Sequence, residues 1–172
     1  MSASARPEFA MRPMLPADVP QLAEIFRASI EELSAEDYSE AQQGAWASAA
    51  DDEEEFGARL AAELTLVATL SGAAVGFAAL ADNARIDMLY VHPGTSGQGA
   101  GTMLCDALEK LAAARGSKEL SVDASDSARG FFERRGFVPK MRNTVALGGE
   151  WLANTTMVKP LASATASKER LQ

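Results

Sequence analysis

The sequence contains very few of the side chains that build disulfides and metal sites. It has one cysteine, Cys105, and one histidine, His92. One cysteine cannot form an intrachain disulfide, and two such residues are too few ligands for a zinc cluster. We therefore expect no metal cofactor and, as the default for a chain without disulfides, a cytoplasmic location.

Positive charge and long apolar runs are also scarce. The 172 residues include 16 Lys and Arg against 24 Asp and Glu, a formal net charge of −8. Because nucleic acid would be repelled by this balance, we expect no nucleic-acid partner. No apolar run approaches the ~20 residues that cross a bilayer, and residues 1–7 lack the apolar segment of a secretory signal. We expect no membrane partner either, and the acidic balance favours a cationic substrate.

Length and composition instead favour one globular domain. Hydrophobic residues make up 47% of the chain, which is enough to form a core. We expect a single domain over residues 9–161, with disordered termini at residues 1–8 and 162–172.

Capping signals mark the helices near the N-terminus. Asp18 and Gln21, and again Ser39 and Gln42, have the spacing of a capping box ahead of helical apolar patterns. An acidic run at residues 51–55 would suit the start of a further helical segment.

Alternating and continuous apolar runs then predict an antiparallel meander over residues 64–92, with turns at Ser71-Gly72 and Asp82-Asn83. A helix over residues 99–115, a strand over 120–124, a helix over 127–135 and a hairpin turning at Gly148-Gly149 follow. The predicted order is β-α-α-β-β-β-α-β-α-β-β, an α/β (α+β) fold whose central mixed sheet is flanked by helices.

The most informative stretch is residues 86–115, IDMLYVHPGTSGQGAGTMLCDALEKLAAAR, a buried strand followed by a glycine-rich loop and a helix. The loop's glycines allow a tight turn and a close approach of the backbone to a ligand. The first amides of the helix and the positive end of its dipole would point at the same place. This arrangement is typical of a phosphate or pyrophosphate site.

Three common glycine-loop motifs are excluded by the residues present. A Walker A loop needs a lysine, and none lies between Pro93 and Lys110. A dinucleotide fingerprint starting at Gly97 needs glycine where Thr102 stands. A nucleophile elbow starting at Gly94 needs glycine where Gln98 stands.

Two motifs resemble the GNAT superfamily of acetyl-CoA-dependent N-acetyltransferases. LYVHP followed by SGQGAG (residues 89–101) is similar to that family's strand and its (Gln/Arg)-x-x-Gly-x-(Gly/Ala) loop. ARGFFERRGF (residues 128–137) is similar to its A-x-x-(L/F)-(Y/F)-x-x-x-G-F segment. The resemblance covers residues 9–161, and residues 37–46 and 154–161 are similar to a YafP-like branch of bacterial GNATs.

The resemblance implies a fold, a cofactor and a set of site residues. It implies a GNAT fold that binds acetyl-CoA, with the pantetheine arm paired to residues 89–91 and the pyrophosphate held by backbone amides of residues 96–102. The cofactor-binding residues that it implies are Leu89, Tyr90, Val91, Ser96, Gly97, Gln98, Gly99, Ala100, Gly101, Thr102, Ser125 and Phe132.

Three of these residues depart from the family pattern. Ser96 stands where the family usually has glutamine or arginine, and Ser125 replaces a common asparagine. Phe132 occupies the position of a tyrosine that protonates the departing thiolate in many members, and a phenyl ring has no proton to give.

Acetyl transfer to an amine requires a base, because the substrate ammonium must lose a proton. We predict Asp87 as this base, since a carboxylate within an apolar strand would have a raised pKa. The alternatives are an ion pair with Arg85 or a merely exposed position. His92 is a second candidate base. Tyr38 is predicted to act in the site, either by closing the acceptor pocket or by supplying the proton that Phe132 lacks.

The sequence thus predicts an N-acetyltransferase that acts by direct transfer to a primary amine of a small molecule or peptide. A monomer or a homodimer is expected. The alternative function is a non-catalytic acyl-CoA-binding sensor or regulatory module, which the Phe132 substitution favours.

Overall fold

The computed structural model describes residues 8–162, so the predicted disordered termini lie almost wholly outside the described residues. A single mixed sheet of seven strands runs through this part of the chain in the order β1-β2-β3-β4-β5-β7-β6. The strands are β1 (Phe9–Pro13), β2 (Leu64–Leu70), β3 (Ala73–Ala81), β4 (Arg85–Val91), β5 (Glu119–Ser125), β6 (Val138–Leu147) and β7 (Glu150–Pro160). The predicted fold class is confirmed. The sheet is mixed because β4 and β5 pair in parallel.

Five α-helices flank the sheet. They are α1 (Val19–Leu33), α2 (Glu40–Ala47), α3 (Glu53–Ala62), α4 (Ala100–Ala114) and α5 (Arg129–Arg134). The predicted order contains two helices before β2, whereas the structure has three there. The additional helix, α3, starts within the acidic run, and the Asp52 side chain accepts a hydrogen bond from the Glu55 N–H.

Only one of the two predicted capping boxes forms. Ser39 and Gln42 exchange reciprocal hydrogen bonds of 3.1 and 2.9 Å at the start of α2. Asp18 does not cap α1, and that prediction was wrong. A short turn precedes α1, and the Asp18 carboxylate instead pairs with Arg12 at 2.7 Å and accepts the Leu15 N–H.

The core is divided into two layers by the sheet. Neighbouring residues of β3 belong to different layers, since Ala78 packs beneath α4 while Phe77 packs beneath α1 and α3. Side chains alternate between faces along a strand, so the two layers lie on opposite sides of the sheet. Cys105 belongs to the α4 layer, where burial raises the pKa of its thiol to about 12.

The strands β4 and β5 pair over a very short distance. Their parallel register contains only Arg85↔Ser121 and Ile86↔Val122, after which the two strands part. Residues 89–91 therefore pair with β3 on one side but have no β5 partner on the other. Within residues 8–162, none of the helices has the length and apolar character needed to cross a bilayer.

Truncating Leu104 in the middle of α4 tests the packing of the α4 layer. Leu104 is fully buried, so Leu104→Ala should lower the free energy of unfolding by about 2–5 kcal/mol through lost burial and a cavity. Chemical denaturation measures this. Leu15→Ala, at a position that is 55% exposed, should cost less than about 0.5 kcal/mol, and equal losses for the two variants would contradict the packing described.

Candidate functional site

A cavity of about 690 Å³ lies where β4 and β5 part. Its volume is in the range typical of small-molecule sites. One end is formed by the glycine loop and α5, and the other by the end of α1, the segment around Tyr38 and the β6–β7 hairpin. The cavity thus connects the predicted anion site to the predicted acceptor site.

The loop has the backbone that the predicted anion site needs. Gly97 and Gly99 have φ values of +77° and +103°, which L side chains rarely adopt. Gly99 is the N-cap of α4, so the unpaired amides of the first helical turn start at Ala100. A Cβ built on Gly97 or Gly99 would meet no atom within 4 Å, so the surface of this turn is open to a ligand.

Most of the predicted cofactor-binding residues come together around this cavity. The members that line it are Leu89, Tyr90, Val91, Ser96, Gly97, Gly99, Ala100, Gly101, Thr102, Ser125 and Phe132. Gln98 is the exception, because it is exposed on the outer side of the loop and is not part of the lining.

Phe132 and Ser125 occupy their positions for structural reasons as well. Phe132 is buried against Phe137, with ring centroids 5.2 Å apart. The Ser125 hydroxyl accepts the Ala128 N–H at 3.2 Å and stabilises the turn that leads into α5.

Asp87 lies in a β-bulge beside the cavity. The β3–β4 register passes from Ala79↔Met88 to Leu80↔Ile86, so Asp87 has no partner residue on β3. Its carboxylate forms a bidentate pair with Arg59, at 2.9 and 2.8 Å, and a further hydrogen bond with Arg85 at 2.9 Å.

The electrostatics of Asp87 differ from the prediction. Burial acts to raise the pKa of its carboxyl, but hydrogen bonds with Arg59, Glu63 and Arg85 outweigh burial and hold the pKa below its ordinary value. Apolar surroundings alone predicted a raised pKa, and the two arginines reverse that expectation. The ion pair with Arg85 that was kept as an alternative is present.

Glu63, next to Asp87, has the raised pKa instead. Burial and contact with Asp87 raise the pKa of Glu63 to about 7. Its Oε2 atom is buried and accepts no hydrogen bond from residues 8–162. A hydrogen bond between two carboxyl groups requires a proton on one of them, so this pair can bind one proton near neutral pH.

Tyr38 closes the opposite wall of the cavity. Its hydroxyl donates to the Ala153 carbonyl at 2.6 Å and accepts the Asp126 N–H at 2.9 Å, which links the segment after α1 to β7 and to the end of β5. Burial raises the pKa of Tyr38. Since the hydroxyl proton is already donated to a carbonyl, this geometry suits closing of the pocket.

His92 lies outside the cavity lining. Its Nδ1 atom accepts the Gly94 N–H at 3.0 Å and stabilises the turn that follows β4.

Comparison with known proteins identifies the family. Residues 34–160 match the acetyltransferase (GNAT) domain family. The chain belongs to the GNAT family. It is an acyltransferase, as its motifs predicted.

Relatives support the same assignment. The chain is 34% identical over 142 residues to the uncharacterized N-acetyltransferase YafP of Escherichia coli (strain K12), covering 83% of this chain and 89% of YafP. A GCN5-related N-acetyltransferase from Rhodopseudomonas palustris is 60% identical with a TM-score of 0.89, covering 94% of this chain and 99% of that one. The PaiA N-acetyltransferase from Thermoplasma acidophilum, solved in complex with coenzyme A, shares the fold at 21% identity and a TM-score of 0.73, with coverage of 89% and 99%.

Sequence reasoning missed three residues of this GNAT site. Arg59 and Glu63 are spaced i and i+4 at the end of α3, which indicates a shared face, but nothing in the sequence places that face beside β4. Arg134 lines the cavity from α5. The spacing to Phe131, three residues earlier on the same side of α5, could not reveal Arg134, because Phe131 was not itself predicted to be in the site.

The raised pKa of Glu63 predicts a pH-dependent stability. The unfolded chain releases this proton near the ordinary value of 4.5 and the folded protein near 7, so wild-type stability falls as pH rises through that window. Glu63→Gln removes this titration. The melting temperature of the variant minus that of the wild type should therefore be about 2–4 °C greater at pH 8 than at pH 5. Thermal unfolding followed by circular dichroism measures this.

The matched control is Glu32→Gln, at an exposed position on α1. Its melting temperature should follow that of the wild type across the same pH range. If the melting temperatures of Glu63→Gln and the wild type differed by the same amount at every pH, this would contradict a raised pKa of Glu63.

Proposed function

We propose that this protein is an acetyl-CoA-dependent N-acetyltransferase that transfers the acetyl group directly to a primary amine of a small molecule or peptide. The observation that carries the proposal is the single cavity that joins the glycine loop to the carboxylate in the β4 bulge. Solved structures with the same fold contain coenzyme A or acetyl-CoA, among them the PaiA protein and the phosphinothricin acetyltransferase of Sinorhizobium meliloti.

The cofactor is assigned to the cavity by matching its parts to the backbone. The amides of residues 96–102 would hold the pyrophosphate at the start of α4. The edge of β4 at residues 89–91, which lacks a β5 partner, would pair with the amides of the pantetheine arm. The thioester would then lie close to Asp87.

The reaction requires a proton acceptor and a leaving group. The Asp87–Glu63 pair takes a proton from the substrate ammonium, through water or directly, and the neutral nitrogen attacks the thioester carbonyl. The carbon–sulfur bond breaks and CoA leaves as a thiolate. The nitrogen, which is positively charged after its attack, releases its second proton to solvent to give the amide, and the thiolate takes a proton from solvent. No acyl-enzyme is expected, because Cys105 is buried outside the cavity lining with a raised pKa, and within residues 8–162 no histidine or carboxylate is hydrogen-bonded to Ser96.

Thiol release in the presence of an amine panel tests the proposal. Acetyl-CoA should yield free thiol only when an acceptable amine is present, and an acetylated amine should appear in equal amount by mass spectrometry. CoA binding without turnover on any amine would instead support the acyl-CoA sensor, which is the alternative that Phe132 favours.

Asp87→Asn tests the base. The variant should lower kcat by about 10²–10⁴-fold and flatten its pH dependence, while the Kd for CoA stays unchanged. Asp18→Asn is a matched control, because it also breaks an arginine–aspartate pair but lies outside the cavity lining. An unchanged pH profile in Asp87→Asn would remove Asp87 from the mechanism.

Arg134 is expected to supply the positive charge that Ser96 lacks. The ring of Phe131 lies against Gly101, and Arg134 follows on the same face of α5 with no ion pair within residues 8–162. Arg134→Gln should therefore weaken CoA binding by about 5- to 10-fold. Calorimetric titration with CoA measures the change.

Arg129→Gln is the control for Arg134→Gln. Arg129 belongs to the same short helix but pairs with Glu133 at 2.7 Å and does not line the cavity. Equal effects of the two variants on the Kd for CoA would show that the contribution of Arg134 is only the general charge of α5.

A further inference from the structure

The acceptor end of the cavity is walled by three aromatic side chains. Tyr38, Trp46 and Tyr90 form a chain of edge-on contacts, with ring centroids 5.5 Å apart for the first pair and 6.3 Å apart for the second. The Trp46 indole N–H donates to the Tyr90 hydroxyl at 3.2 Å, and the Tyr38 hydroxyl is held between Ala153 and Asp126. These rings are thus fixed in place before any ligand binds.

The remaining surface of this end combines aliphatic side chains with the uncharged polar residues Ser29, Ser34 and Asn154. Ile30 and Leu33 contribute from the last turn of α1, and Val145, Leu147 and Leu152 contribute from the β6–β7 hairpin. Leu33 and Val145 are 44% and 42% exposed in the absence of a ligand. A ligand body that buries this surface must itself be apolar.

Charged groups around the cavity are few. Only Asp87, Asp123 and Arg134 line it. Arg134 belongs to the glycine-loop end, and Asp87 is engaged by two arginines. Among the described residues that line the acceptor end, none is therefore cationic. The nearby Arg59, Arg85 and Arg142 are already paired with the carboxylates of Asp87 and Asp126.

Asp123 is the one carboxylate of this group without a cationic partner in residues 8–162. It follows Val122, the last β5 residue paired with β4, and so lies directly at the point where the strands part. Its Oδ1 atom accepts a hydrogen bond from the Thr156 hydroxyl at 2.6 Å. The cavity thus offers one uncompensated carboxylate, beside Asp87, for one ammonium group.

We infer that the acceptor is a small amine with a single positive charge and a flat apolar body, such as an arylalkylamine, whose ring packs on the Tyr38–Trp46–Tyr90 wall. The inference rests on the proposed function, since it names the acceptor of that same reaction. The ammonium lies between Asp123 and Asp87, and the ring extends towards Leu33 and the β6–β7 hairpin.

Two other classes of amine are disfavoured by the same residues. An amino acid would bury its carboxylate where no cation faces it, and an unpaired buried charge is costly. A polyamine would place its second and third ammonium groups against the aliphatic side chains of α1 and the hairpin, where they would lose hydration without a partner.

Steady-state thiol release with four acceptors tests the inference. Phenethylamine matches the proposal and ethylamine lacks the ring. Phenylalanine adds a carboxylate, and spermidine adds further ammonium groups. We expect kcat/KM for phenethylamine to exceed that of each other amine by about 10- to 100-fold. Against ethylamine this is the factor expected for burial of one phenyl ring, and against phenylalanine and spermidine it reflects the cost of burying an unpaired charge.

The two tryptophans of the chain provide a matched pair of variants. Trp46→Leu should lower kcat/KM for phenethylamine about tenfold and that for ethylamine by a smaller factor, because only the ring uses the aromatic wall. Trp151→Leu removes a tryptophan that is 64% exposed and outside the cavity lining, and should change neither value. Leu33→Lys, on the exposed end of α1, should lower phenethylamine turnover by a similar factor even if Trp46→Leu does not fold.

The outcomes separate this inference from the proposed function. Preference for phenethylamine, lost in Trp46→Leu or Leu33→Lys, supports it. Acetylation of spermidine or phenylalanine at a higher kcat/KM than phenethylamine overturns the acceptor class while leaving N-acetyl transfer intact. Tight CoA binding without acetylation of any of the four amines or of a wider amine panel overturns both.

Discussion

The parting of β4 from β5 after a single pair of buried residues, Ile86 and Val122, is the constraint on which the rest of the site depends. Two parallel neighbours that stayed paired would satisfy each other's backbone groups and leave no space between them. Because they separate, the edge of β4 beyond Ile86 is available to a ligand, and the cavity opens along it. The glycine loop follows this edge directly, so an extended ligand can pair with β4 and meet the amides of α4 at its end.

The charged side chains around the β4 bulge lie beside the point where β4 and β5 separate. Asp87 is displaced from the β3 register, and it is neutralised by Arg59 from α3 and Arg85 from its own strand. Glu63 completes a group of two carboxyls and two guanidiniums, in which one carboxyl keeps a low pKa and the other a pKa of about 7. Such a pair remains compatible with folding because each charge has a partner, and it still has a proton-binding step in the neutral range.

The sequence predicted the elements that are determined locally. Turn residues, glycine spacing and apolar alternation located the meander, α4 and the last hairpin, and the Ser39 capping box formed because both of its partners are close in the chain. The Asp18 box failed because a competing partner, Arg12, lies on a neighbouring strand. The Arg85 pair of Asp87 could be predicted as an alternative because both residues lie on one strand, whereas Arg59 could not, since it reaches Asp87 from 28 residues away. The aromatic wall could not be predicted for the same reason, because Trp46 and Tyr90 are 44 residues apart in the chain and are brought together only by the tertiary fold.

The central claim is that backbone amides at the start of α4 bind the pyrophosphate of acetyl-CoA. Amide hydrogen exchange in the presence and absence of CoA tests it most directly, because it reports on those N–H groups themselves. Residues 96–102, together with residues 89–91 of β4, should gain the largest protection on CoA binding. Saturating CoA binding with unchanged exchange in both segments would contradict it.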